Sequence, residues 1–293
     1  MATPRVSIAV PAYNCERYLA KSLDSLLGQT YGDFELVISD NASTDGSEEI
    51  CRRYERLDQR VRYIRRTDNI GGPGNFRYVW SQCRGEYHKW STADDYWAPG
   101  FLGAAVALLD ARPDVVLCHP RAQLVDSAGG KIEDYDEPLH LVDDSPRRRF
   151  NQLLQTIRLC NAHLGLIRRA AMACTRLIGT EMNSDTHFLA ELTLYGKFSL
   201  LPEIMFFRRF HPQSSSWKRD DDSHQETYYD PGRKDKRGMH GWRKFARLSG
   251  GVWRAPISVS DKLALTVDLG RYARWERHRL GRELTATLSG RRN

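Results

Sequence analysis

Residues 5–40 read RVSIAVPAYNCERYLAKSLDSLLGQTYGDFELVISD. Two apolar runs, 5–13 and 34–40, flank a segment in which Leu19, Leu23, Leu26 and Leu27 fall on one helical face. The runs have the pattern of buried strands, the first ending at a proline and asparagine. A helix between two such strands predicts a crossover unit of a parallel sheet.

The same alternation continues outward. STDGSEEICRRYER (43–56) offers cap residues and early acids for a helix, and VRYIRR (61–66) is a third strand. A glycine-rich loop, DNIGGPGN (68–75), leads into a short helix at 76–83. EYHKWSTA (86–93) is a fourth strand, 101–113 a helix and 115–125 a fifth strand. The expected fold class is therefore α/β with a mostly parallel, Rossmann-like sheet.

Beyond 125 the pattern loosens. Residues 126–150 read as a charged linker, 150–172 as helix passing into a strand-like AHLGLIRR, and 180–196 as a polar loop becoming a helix. Residues 197–217 read as strand pieces ending in a His/Ser loop, and 218–238 as a mobile stretch. The last 50 residues suggest basic helices around Trp242, Trp253 and Trp275.

Composition narrows the function classes. The 293 residues are 41% hydrophobic, enough for a sizeable core. No apolar stretch has the length of a membrane span, and the N-terminus lacks a signal-peptide pattern. The six cysteines form no CxxC pair, which argues against a zinc finger or a disulfide framework and for a reducing cytoplasm. Net charge is +7, but residues 233–293 hold 16 Lys/Arg against 5 Asp/Glu. Such a tail can meet nucleic acid, an anionic membrane surface or only water. Neither GxGxxG nor GxxxxGK[ST] is present, which disfavours dinucleotide and P-loop folds.

Ligands of such sheets bind beyond the carboxyl ends of the strands. Those ends read PAYN, DNASTD, DNIGGPGN and TADD, four polar turn-forming loops at one edge.

Together these blocks resemble family 2 glycosyltransferases, which have the nucleotide-sugar-binding GT-A fold. The likeness covers 6–47 and 69–102 specifically, and NSDTHFLAEL and FFRRFHPQSSS less so. It implies an inverting transferase that moves a sugar from a nucleotide-diphospho-sugar, UDP first among the candidates, to an acceptor hydroxyl in cell-surface glycan synthesis. It also implies roles for particular residues. Asp40 would bond the nucleobase, and Pro11, Ala12, Tyr13 and Asn14 would line the same pocket. Gly71 and Asn75 would lie at its rim, although Gly74 stands where many relatives carry an arginine. Thr92, Ala93, Asp94 and Asp95 would face the donor, with Thr92 replacing a family acid. Asp94 would ligate Mn²⁺ or Mg²⁺, and His211 would reach the metal or the diphosphate. Asp185 would be the base, with Glu181 in reserve.

The resemblance divides the chain into a nucleotide-sugar half (1–125), an acceptor-side half of the same domain (126–217) and a linker with a basic helical tail (218–293). The acceptor would be a glycan, a lipid-linked sugar or a small molecule. A cytoplasmic location is expected, with peripheral attachment to the inner membrane face through the tail. A degenerate, non-catalytic nucleotide-sugar binder is the alternative, and nucleic acid is not an expected partner.

Overall fold

The computed structural model describes residues 3–212, 214 and 239–288 of the chain. The strands β1 (Val6–Ala12), β2 (Phe34–Asp40), β3 (Val61–Arg65) and β4 (Tyr87–Trp90) lie parallel, in the order β3-β2-β1-β4. β1 has partners on both sides, and β2 is buried throughout, as their continuous apolar sequences require.

Helices α1 (Glu16–Leu27), α2 (Ser47–Leu57), α3 (Gly72–Gln82) and α4 (Phe101–Ala111) supply the connections. Leu19, Leu23 and Leu26 of α1 are fully buried, whereas Leu27 is only half-buried. The starts of α1 and α2 hold each other: Gly46 N–H donates to Glu16 and Glu16 N–H donates to Asp45. This supplies acceptors to backbone donors that a helix start leaves open.

The second half of the sheet departs from the parallel pattern. It continues β4-β8-β6-β9-β5, with β8 (Leu166–Arg168) antiparallel to both neighbours and β5 (Tyr96–Trp97) antiparallel to β9 (Lys197–Arg209). β6 (Val115–Val125) and β9 run parallel. This pairing joins residues on either side of position 125 in one sheet.

The stretch expected as a linker holds a hairpin. Asp126 accepts from the Ala128 and Gly130 amides, Gly129 takes φ +95°, and the chain returns along β6 as β7 (Lys131–Tyr135). β7 is an almost wholly exposed edge strand, so it carries no apolar signal. The stretch 150–172, expected as helix passing into a strand-like AHLGLIRR, is α5 (Pro146–Thr156), a 3₁₀ turn (Asn161–Leu164), β8 inside the expected strand and the one-turn helix α6 (Arg169–Ala173). Ser145 caps α5 ahead of Pro146, which starts it earlier than its apolar residues indicate. Helix α7 (Ser184–Leu192) follows.

The basic tail forms α8 (His240–Arg254), α9 (Val259–Trp275) and α10 (Arg277–Leu288). Its inner face is part of the core: Leu248, Val252, Leu265 and Leu269 are buried with the body's apolar side chains. Arg254 pairs with Glu191 at 2.7 Å, and Arg147 of α5 grips Asp268 of α9 through two nitrogens at 2.7 and 3.0 Å. The predicted mobile stretch 218–238 lies outside the described residues. Among those residues no helix is long and apolar enough to cross a membrane.

Candidate functional site

A cleft of about 650 Å³ opens beyond the carboxyl ends of β1 and β4. The loop after β1 forms one wall. Pro11, Ala12, Tyr13 and Asn14 all line the cleft, and Tyr13 is 48% exposed. Asn14 holds a left-handed backbone (φ +45°), and its carboxamide oxygen accepts from the Thr44 amide. The PAYN and NASTD loops are therefore hydrogen-bonded to each other.

Asp40 differs from its expected position. Its side chain is fully buried behind the cleft, where it accepts from the Ser43 amide (2.9 Å), the Tyr63 hydroxyl (2.7 Å) and Arg65 (2.8 Å). The next residue, Asn41, lines the cleft instead. Its amide nitrogen donates to Asn69 and its oxygen accepts from the Ile70 amide, joining the second loop to the third. Sequence reading passed over Asn41 and Asn69, although both stand in strand-end loops.

Gly71 lines the cleft at φ +77°, a backbone that favours glycine. Asn75 also reaches it, but is otherwise buried, bonding Ser39 through both ends of its carboxamide. Phe76 adds an apolar surface beside these amides.

The fourth loop separates its two acids. Asp94 lines the cleft with Thr92 and Ala93, and its Oδ2 lies 2.9 Å from His211 Nε2. Tyr18 packs on the His211 ring, with centroids 4.7 Å apart. Asp95 points inward and is only 4% exposed. It accepts from the Arg209 amide at 2.7 Å and from the Thr92 hydroxyl. Burial, reinforced by the charge of Asp94, pushes its carboxyl above the usual range. Arg209 is buried and donates to three backbone carbonyls, so it holds loops together rather than facing solvent.

Asp185 does not line this cleft. It stands in the first turn of α7 beside Cys160 and His163, and the His163 ring lies 6.2 Å from that of Phe76 on the cleft wall. Glu181 is engaged elsewhere: Arg247 Nε of α8 is 3.2 Å from it and His187 is 3.7 Å away. Burial would raise its carboxyl, but the His187 contact and the Arg247 charge outweigh that and hold it at about 2.

The cleft thus offers amides and an aromatic surface on one side, and a carboxylate–imidazole pair on the other. Oxygen and nitrogen donors of this kind suit a divalent cation such as Mn²⁺.

The family model for glycosyl transferase family 2 matches residues 7–175. A Mycobacterium tuberculosis protein of uncharacterized function, Rv1520, is 31% identical over 209 residues, which is 70% of this chain and 59% of that protein. The chain therefore spans less than two thirds of that relative's length. Two solved structures share the fold. Staphylococcus aureus TarS 1–349, in complex with UDP-GlcNAc, is 18% identical with a TM-score of 0.65, over 88% of this chain and 69% of that one. The Pyrobaculum calidifontis mannosyltransferase PcManGT, in complex with GDP-Man and Mn²⁺, is 18% identical with a TM-score of 0.53, over 99% and 87%. With its family match over more than half the chain and its GT-A architecture, the chain belongs to glycosyl transferase family 2.

Proposed function

We propose that the protein transfers a sugar from a nucleotide-diphospho-sugar, a UDP-sugar first, to an acceptor hydroxyl with inversion at the anomeric carbon. The observation that carries this reading is the position of Asp94 and His211 across one cleft from Tyr13 and Asn41. The UDP-GlcNAc held by TarS and the GDP-Man and Mn²⁺ held by PcManGT support it.

In this reading Tyr13, Asn14 and Asn41 hold the nucleoside, while Asp94 and His211 hold a divalent cation, Mn²⁺ or Mg²⁺. The cation, when bound, neutralises charge on the departing diphosphate. Asp185 takes the proton of the acceptor hydroxyl. The acceptor oxygen bonds to the anomeric carbon as the bond from that carbon to the diphosphate oxygen breaks, and the electron pair leaves with the diphosphate. Arg209 and Asp95 act as supports that keep Asp94 facing the cleft.

Incubation with a panel of UDP-, GDP- and dTDP-sugars, with and without Mn²⁺, tests the reading. Cation-dependent release of one nucleoside diphosphate is expected. Donor binding without release in any combination favours the second reading, a non-catalytic nucleotide-sugar binder. That alternative draws on Thr92 standing where an acid would strengthen cation binding.

The tail extends the proposal to a peripheral membrane position. Val259, Leu263 and Val267 are exposed on the side of α9 away from buried Leu265 and Leu269. Trp275 is 84% exposed and lies among Arg271, Arg274 and Arg277, a mix suited to an anionic lipid surface. A lipid-linked or other cell-surface glycan acceptor is consistent with that placement.

A further inference from the structure

Cys160, His163 and Asp185 come together from two elements. Cys160 precedes the 3₁₀ turn Asn161–Leu164, His163 lies within that turn, and Asp185 comes from the first turn of α7. The Cys160 sulfur, a His163 ring nitrogen and an Asp185 oxygen all lie within 4.8 Å of one another. Bonds of about 2.0–2.3 Å to a single ion need ligand separations of roughly 3.3–3.8 Å. A small side-chain rotation covers that difference.

The loop that carries two of these groups is fixed from behind. The Glu137 carboxylate accepts from the Arg158, Cys160 and Asn161 amides at 2.8–2.9 Å. Arg208 donates to the Leu159 carbonyl at 2.7 Å from the other side. The His163 ring is held as well, with Nδ1 against the Cys160 carbonyl oxygen. An N–H donated there leaves the lone pair on Nε2, which is the orientation given to metal-binding histidines. Cys160 is fully buried, while His163 and Asp185 are half-buried, so the cluster is reached from its histidine and carboxylate side.

The donor set differs in kind from the cleft edge at Asp94 and His211. The thiolate sulfur selects zinc-like ions, whereas the carboxylate and imidazole of the cleft edge also suit manganese. Three protein ligands also leave one tetrahedral position for water or another ligand.

We propose that Cys160, His163 and Asp185 form a binding site for a soft divalent cation of the zinc class, distinct from the cation edge of the donor cleft. Binding displaces the Cys160 thiol proton to solvent. It also engages the Asp185 carboxylate, so zinc stops transfer; this consequence, unlike the site itself, rests on Asp185 being the base.

Titration calorimetry of the full chain with Zn²⁺ alone tests the site, and the thiolate-to-metal absorption band with Co²⁺ tests the sulfur ligand. One ion per chain is expected. Cys160→Ser and Asp185→Asn should each weaken Zn²⁺ binding at least 10-fold and Cys160→Ser should remove the band, while Asp94→Asn leaves Zn²⁺ affinity unchanged. Circular dichroism melts identify any variant that fails to fold, and the wild-type titration and Co²⁺ band decide without variants. No stoichiometric binding, no thiolate band, or equal affinity in folded Cys160→Ser and wild type overturns the site. Stoichiometric Zn²⁺ binding with undiminished sugar transfer leaves the site standing and overturns Asp185 as the base.

Discussion

The Thr92 hydroxyl donates to the buried Asp95 carboxylate, and the neighbouring Asp94 faces the cleft against His211. Adjacent acids therefore do unlike work. Thr92 serves the inward one. A second acid at that position would set its carboxylate against Asp95 in a poorly solvated place.

Asp94→Asn should separate chemistry from stability. Nucleoside diphosphate release at saturating Mn²⁺ should fall about 100-fold or more, the scale of losing a principal electrostatic stabiliser. The melting midpoint should stay near wild type, since Asp94 is partly exposed and lines the open cleft. Steady-state kinetics beside a thermal melt reads both; full turnover in the variant would remove Asp94 from the cation edge.

Asp95→Ala should show the reverse emphasis. It strands the Arg209 amide and the Thr92 hydroxyl, which costs on the order of 2 kcal/mol. Thr92→Val removes only the hydroxyl and should cost about 1 kcal/mol. Urea unfolding of both variants and of the double mutant gives the coupling; strict additivity would mean that the Thr92–Asp95 bond contributes nothing.

Asp185→Asn should lower transfer by roughly 10²–10⁴-fold while donor affinity stays within about twofold. The carboxamide is nearly isosteric and Asp185 does not line the donor cleft. Donor titration by intrinsic fluorescence, beside the turnover assay, distinguishes a lost base from a lost fold.

The contact of α8 with the body should weaken in acid. The Glu181 carboxyl is ordinarily near 4.5 and is held at about 2 in the fold. A depressed carboxyl contributes stability in full above its unfolded value, and that contribution is lost as pH falls from about 4.5 through about 2. Its size is on the order of 2 kcal/mol. Glu181→Gln should therefore be less stable than wild type at pH 7 and lose less stability across that window. Equal slopes of stability against pH in the two proteins would remove Glu181 from the account.

Leu263→Glu with Val267→Glu on the outer face of α9 should cut recovery on anionic vesicles several-fold and leave neutral-vesicle recovery low throughout. Both residues are exposed, so folding should be unaffected. Equal flotation of the double variant and wild type on anionic vesicles would exclude this face as the attachment surface.

The first half of the fold was legible because β1, β2 and β4 are almost wholly buried and α1 buries a leucine stripe. Those periodicities need no knowledge of distant partners. The cleft was legible for a similar reason, since PAYN, GG and TADD are turn-forming sequences at ends of predicted strands. What escaped was set by partners remote in sequence. The meeting of Asp94 and His211, 117 residues apart, is an exception: the family resemblance pairs them at the metal, although nothing local does. Asp40 and Asn41 are neighbours at a strand end, and which of them faces the cleft depends on Tyr63 and Arg65 in the next strand. β7 was missed because an exposed edge strand has no apolar pattern.

The pairing of β5 with β9, fastened where the Arg209 amide meets Asp95, limits what can be cut away. The family match stops at 175, yet His211 and the strand that supports Asp94 lie after it. A fragment trimmed to the matched region would keep the nucleoside wall and lose the other jaw of the cleft. Its unpaired β6 edge would then be open to other chains. The last strand is thus both the latch of the site and the guard of the sheet, and truncation libraries should keep soluble, donor-binding clones only when they include it.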